Sequence, residues 1–307
     1  MPFSAKIIII KRGGILPNKE NSSKLNIVIS MLIFGTVGVF RNYIPLPSAL
    51  IALARGLIGA VFLLLLRLAT GKKPDFSAIR KNLWFLLLSG AALGINWVLL
   101  FEAYNYTSVA SATLYYYLAP TIVTLLAPLF FKEKLTLKGV VCAAVALIGM
   151  VPVSGIFADG IGNNGSIKGL AFGLGAAFFY AAVVLLNKKI FGISAMDKTI
   201  AQLLVSAVVL LPYVLLNTGE VGVITPKSIA LLITMGIIHT GVAYALYFGS
   251  IKNLKASTSA MLSYIDPVFA IILSSALALE FPDLPVIIGA ALIMGAALVS
   301  QLPSRKN

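Results

Sequence analysis

The chain has 307 residues, 59% hydrophobic and 11% charged, with a net charge of +14 and a mean hydropathy of +0.99. Soluble domains carry roughly 25% charged residues, so this chain lacks the polar surface to cover itself in water. Its basic residues sit between apolar runs rather than on one patch, which argues against a nucleic-acid partner.

The solvent that suits it is a lipid bilayer, where apolar runs of about 20 residues cross as helices. Residues 1–23 form a basic tail whose apolar core, Ile7–Ile10, is too short for a signal peptide. Ten candidate spans follow at about 25–43, 48–69, 83–104, 109–130 and 136–154, then 167–187, 199–217, 228–249, 256–279 and 285–302. The single cysteine, Cys142, falls inside an apolar run, so no intramolecular disulfide or cysteine metal cluster is expected.

Lysine and arginine alternate with these spans. With the N-terminus inside, 20 of them fall on cytoplasmic segments, and only Arg41, Lys168 and Lys227 fall outside. Arg55 lies within a span. Cytoplasmic Lys/Arg excess sets orientation, so the expectation is an inner-membrane, multi-pass protein with both termini cytoplasmic.

The sequence also repeats. A shift of 147 residues superposes Gly94 on Gly241, Trp97 on Tyr244, Phe101 on Phe248, Tyr117 on Tyr264, Pro120 on Pro267 and Glu133 on Glu280. Arg55 then falls opposite Gln202, while Phe34-Gly35 meets Phe172-Gly173 at a shift of 138. The shift equals five spans, an odd number, so the second half enters the membrane inverted. The predicted fold is all-α: ten transmembrane helices in two inverted five-helix repeats, 24–154 and 155–303, with a short cytoplasmic tail at 304–307. Inverted repeats commonly build alternating access around a midplane site.

The stretches FEAYNYTSVASATLYYYLAPTIVTLLAPLFFKEKLT and LYFGSIKNLKASTSAMLSYIDPVFAIILSSALALEFP resemble the EamA-type repeat of the drug/metabolite transporter superfamily. Each has an aromatic and a proline, then an acidic residue at the helix end; ALARGLIG around Arg55 also fits the family pattern. The second copy departs with EFPDLP, where a Gly-Glu-type turn is more usual. The resemblance implies a central cavity lined by the first, third, fourth, sixth, eighth and ninth spans, with the last span of each half peripheral. It implies export or exchange of small metabolites, such as amino acids, nucleosides or drug-like compounds.

Charged groups at membrane depth cost roughly 2.5–3.5 kcal/mol on insertion scales, so each one is a functional candidate. Asp266 and His239 fall at similar mid-span depth and are candidates for a proton-responsive pair; the alternative for His239 is a structural bond to a neighbouring carbonyl. Arg55 and Glu102 lie towards the same side, where pairing would lower the penalty of both. Glu102 is otherwise a candidate for a cationic substrate group or for proton coupling. Tyr117 and its mate Tyr264 offer a ring face and a hydroxyl, the chemistry of a partly dry binding site, and Trp97 and Tyr244 are candidate walls. Pro120 and Pro267, placed mid-helix, predict kinks that free a carbonyl and serve as hinges or as passive bends. Gly90/Gly94 and Gly169/Gly173 predict close helix packing.

There is no Gly-Lys-Ser/Thr phosphate loop, no HExxH and one histidine, so ATP hydrolysis, a metal site and a cofactor are not expected. The sequence reading is therefore a secondary transporter, acting as a monomer or homodimer on a small-molecule substrate. A membrane channel and a membrane-embedded enzyme are the alternatives.

Overall fold

The computed structural model describes residues 19–131, 136–153, 164–216, 224–251, 253–254, 262–263, 265–278 and 282–301. Among these residues every regular element is helical. Residues 1–18 and 302–307, Glu133, Tyr264 and Glu280 lie outside the described residues, and the end of the expected N-terminal tail, 19–23, is the start of the first helix.

The first helix, α1 (Lys19–Gly35), breaks at Thr36 and resumes as α2 (Val37–Asn42). Next come α3 (Ser48–Ala69), the short α4 (Phe76–Lys81) and α5 (Leu83–Tyr106). Left-handed Gly71 (φ 71°) follows the last turn of α3, and the Asp75 carboxylate caps α4 by accepting from Ala78 N at 2.9 Å. Helices α6 (Val109–Tyr116) and α7 (Ala119–Phe131) fill the fourth predicted span, and α8 (Leu137–Val153) the fifth.

The second half holds α9 (Asn164–Asn187), α10 (Ala195–Leu216) and α11 (Pro226–Thr234). Helix α11 runs on through a π-helical turn, Met235–Val242, into α12 (Ala243–Ile251). Last come α13 (Ile265–Ala278) and α14 (Leu284–Gln301).

Among the described residues, seven helical stretches, taken across their breaks, are long and apolar enough to cross a membrane: Lys19–Asn42, Ser48–Ala69, Leu83–Tyr106, Val109–Phe130, Ile167–Asn187, Ala195–Leu216 and Pro226–Tyr247. Leu137–Val153, Ile265–Leu277 and Leu284–Val299 are apolar but shorter. Large apolar side chains also line the outside. Leu57, Val61, Leu65 and Leu68 make one exposed stripe along α3, and Leu204, Val208, Leu211 and Leu215 another along α10. Apolar stripes this continuous belong against lipid.

Between helices the contacts run through small residues. A β-carbon on Gly94 would come within 2.8 Å of Ser206 Oγ on α10, and one on Gly90 within 2.8 Å of Gln202 O. Gly173 sits against Tyr115, and Gly169 against Thr107. Helices α8 and α14 meet nearly backbone to backbone, where a β-carbon on Gly149 would lie 2.7 Å from Leu292 Cβ and 3.0 Å from Gly289 O. Gly295, also on α14, has nothing within 4 Å of its β-carbon position.

Gly149→Leu is expected to cost about 1–3 kcal/mol through overpacking and to lower the melting temperature of the purified protein in detergent. Gly295→Leu leaves it unchanged, and equal melting of the two variants would contradict this account of the seam.

Candidate functional site

Three irregular points meet in the middle of the bundle. Thr36 breaks the first helix, and its hydroxyl donates to Ile33 O at 2.7 Å. Residues 117–118 separate α6 from α7. The π-turn widens the eighth predicted span at 235–242. Irregular backbone at membrane depth is tolerated where protein or a water-lined cavity satisfies it, and π-turns in helices are frequent at functional sites.

Polar side chains tie these points to one another. The Tyr117 hydroxyl donates to Asp266 Oδ2 at 2.6 Å, joining the α6–α7 break to the first turn of α13. Gly35 lets the broken first helix approach the same place: a β-carbon there would lie 2.9 Å from Asp266 O. Thr36 Oγ1 and His239 Nε2 are 2.7 Å apart, joining the first helix to the π-turn. From the next residue of that turn, Thr240 Oγ1 accepts from Arg55 Nε at 2.8 Å. The π geometry puts Met235 O, five residues back, 3.3 Å from the Thr240 hydroxyl, which donates to it.

Two expected pairings are not formed. His239 and Asp266 do not pair; each is bonded to a hydroxyl on a different helix. Arg55 does not pair with Glu102. Its guanidinium lies over the Trp97 ring, 4.3 Å from the centroid, and 5.7 Å from that of Phe101. Glu102 instead accepts from Asn105 Nδ2 at 3.2 Å. Asn105 Oδ1 in turn accepts from buried Arg41 at 2.9 Å, so the basic neighbour of Glu102 is Arg41. Depth along two helices was the only basis for pairing, and depth does not say which faces meet.

One proline also differs from expectation. Pro120 is the second residue of α7 and Pro267 the third of α13. Pro120 therefore occupies a first turn, where a missing N–H is harmless, rather than a helix interior; ahead of Pro267, residues 262–263 are helical and 264 lies outside the described residues. Trp97 is almost wholly buried beneath Arg55. Tyr244 packs edge-on against Phe34 at 5.4 Å. Tyr264 lies outside the described residues.

The sequence reading missed several neighbours. Tyr116 packs on Tyr180 at 5.2 Å and edge-on to Tyr117 at 5.9 Å. Tyr104, Tyr116 and Tyr244 all lie within electrostatic reach of Arg55, and Tyr104 and Tyr116 are within reach of Asp266 as well. Tyrosines thus stand within electrostatic reach of both a positive and a negative pole. Thr36 and Thr240 carried no signal alone, although His239-Thr240 between Gly236 and Gly241 marks a polar point in a small-residue run.

Gln202, at the position equivalent to Arg55, is fully engaged: its Nε2 donates to Ser89 Oγ and to Asn187 Oδ1, both at 2.7 Å. At one end of α3, Arg67 Nη2 meets Asp197 Oδ2 of α10 at 2.5 Å. Among the described residues no group of three or more His, Cys, Asp or Glu is placed to hold a metal.

Long apolar helices with apolar stripes on the outside define a multi-pass helical membrane protein. Comparison with known proteins then gives the family. The pattern of the EamA-like transporter family matches residues 22–155 and again 167–301, and the chain belongs to that family. It is similar to the uncharacterized transporter YxxF of Bacillus subtilis (strain 168), 31% identical over 93% of this chain and 91% of that one. An uncharacterized transporter of Clostridium kluyveri is 28% identical over 81% of this chain and 82% of its own length. Protein RarD of Salmonella typhi is 26% identical over 63% of this chain and 64% of its own. A protein crystal structure only 19% identical shares the fold, with a TM-score of 0.63 over 92% of this chain and 96% of the other.

Thr240→Val removes the acceptor of Arg55 Nε and is expected to destabilise the protein by about 1.5–3 kcal/mol, the worth of a hydrogen bond to a charged group. Thr240→Ser restores it. Thermal melts of both variants in detergent check this, and a Val variant as stable as wild type would remove Thr240 as the support of Arg55.

Proposed function

We propose that the chain is a secondary transporter of a small metabolite, working by alternating access between two inverted five-helix halves, 24–154 and 155–303. The observation that carries this reading is the Tyr117–Asp266 hydrogen bond. It joins repeat-equivalent helices at the point where the helix breaks gather. Discontinuous helices at a repeat interface are the usual setting of a transporter's substrate site.

Helix pairing supports the two halves. Helix α5 packs on α9 as α12 packs on α1, and α1 packs on α13 as α9 packs on α6 and α7. The pairs α3–α10, α6–α13 and α8–α14 each join a helix to its own repeat mate. Glycines follow the same exchange. Gly94 of the third span sits on α10 and Gly241 of the eighth on Phe62 of α3, while Gly35 meets α13 and Gly173 meets α6. These contacts have counterparts when the halves are swapped, which supports a pseudo-two-fold axis. The ten-span count, both termini cytoplasmic in an inner membrane, and function as a monomer or homodimer belong to the same proposal.

In this reading Tyr117, Asp266 and Tyr244 touch the substrate, with Trp97 behind Arg55 and Tyr264 as the mate of Tyr117. Asp266 is the first candidate for proton coupling, because its bond to Tyr117 can be exchanged for one to a substrate or a proton. His239 and Glu102 are secondary candidates, each held by a neutral partner. The starts of α7 and α13, at Pro120 and Pro267, are the points at which the halves would bend.

Metabolites accumulating differently outside cells that overexpress the protein and cells that lack it supply the test compounds. In proteoliposomes, counterflow of such a compound should saturate. Asp266→Asn and Tyr117→Phe should each slow it at least about tenfold, or about 1.4 kcal/mol, and Asp266→Asn should flatten its dependence on a pH gradient. Unsaturable flux would point to a channel. Unchanged flux and pH dependence in Asp266→Asn would remove it from both roles.

A further inference from the structure

The chain has three buried or nearly buried arginines for which bonds are defined, and they are not treated alike. Arg41 donates to Ile44 O, Ser48 Oγ and Asn105 Oδ1. Arg67 has the Asp197 carboxylate and Lys73 O. Arg55 is only 4% exposed, yet among the described residues its one hydrogen bond is from Nε to Thr240 Oγ1, and no Asp or Glu pairs with it. The ring of Trp97 supports the guanidinium plane from one side. Nη1 and Nη2 bond to no described residue, and neither is among the buried atoms stranded without a partner, as Arg41 Nε is. Tyr104, Tyr116 and Tyr244 lie within electrostatic reach of the guanidinium, and Tyr104 and Tyr116 within reach of Asp266 as well.

We propose that this unpaired fork of Arg55 is an anion site and takes the carboxylate of an organic monoanion. The assignment deepens the transport reading above and rests on it. A guanidinium held by Nε and by an aromatic face keeps its two end nitrogens parallel, the geometry that binds a carboxylate bidentately. One cation balances one negative charge. A phosphate dianion would bring a second charge to membrane depth with nothing described to neutralise it. The tyrosine rings suit an apolar or aromatic body, and their hydroxyls suit a few polar groups on it. The site exists in one half only, because Gln202, the equivalent residue, is committed to Ser89 and Asn187. A two-fold scaffold therefore binds its substrate in one direction.

The chain has two tryptophans, and Trp84→Phe leaves Trp97, beneath Arg55, as the only fluorophore of that kind. Iodide is the probe, titrated at constant ionic strength into the purified Trp84→Phe protein. Quenching of Trp97 should contain a saturable part. Benzoate should relieve it, phenylphosphate at least about tenfold more weakly, and benzylamine not at all. Arg55→Gln should abolish the saturable part, and Arg55→Lys should keep some of it. Purely linear quenching, or relief by phenylphosphate equal to that by benzoate, would overturn the assignment. If Arg55→Gln aggregates on gel filtration, the competitor series on the parent protein decides alone. Saturable counterflow without a saturable iodide site defeats the anion assignment only. A saturable iodide site without counterflow defeats the transport reading and leaves the anion site standing.

Discussion

In hydrocarbon there is no water to satisfy a backbone group or a charge, and an unpaired amide there costs several kcal/mol. Every departure from regular helix must therefore be answered by another part of the chain. The structure answers them collectively. The break at Thr36 is met by His239, the break at 117–118 by Asp266, and the π-turn at 235–242 holds Thr240 against Arg55. Irregularities distributed singly would each need a private partner. Gathered together they supply partners for one another and leave a polar interior that a substrate can use.

Close approach of helices is the second condition. Without small residues the helix axes would stand too far apart for a threonine or tyrosine hydroxyl to reach across. Gly59, Gly236 and Gly241 bring α3 and the π-turn together, so Thr240 comes within 2.8 Å of Arg55. Gly35 brings the broken first helix to the carbonyl of Asp266. The same residue type that looks like simple packing in the sequence therefore sets the geometry of the polar core.

Much of the architecture was legible in the sequence because hydropathy reports the solvent directly. The apolar runs were read to within a few residues of helices such as Ser48–Ala69 and Leu83–Tyr106. The breaks were not legible, since one or two residues out of helix barely alter an average over twenty, and their stability comes from residues far along the chain. The pairings Arg55–Glu102 and His239–Asp266 failed for a related reason: the sequence supplies height along a helix but not azimuth around it. The repeat is an independent coordinate, and Tyr117, singled out with its mate Tyr264, is bonded to Asp266.

The first helix and the end of the eighth span are joined by bonds of very long range. Asn26 donates to Ser250, 224 residues away, and Asn253 donates to Ser23, 230 residues away. Arg55 waits 185 residues for Thr240. During synthesis the first helix must therefore wait, with Ser23 and Asn26 lacking these partners and Thr36 lacking His239, until the eighth is inserted. At a translation rate of about 5–20 residues per second that interval is on the order of ten seconds or more. Completion of the polar core is thus a post-insertion event, and it falls to whatever shelters a nascent helix to keep the early spans from finding other partners first.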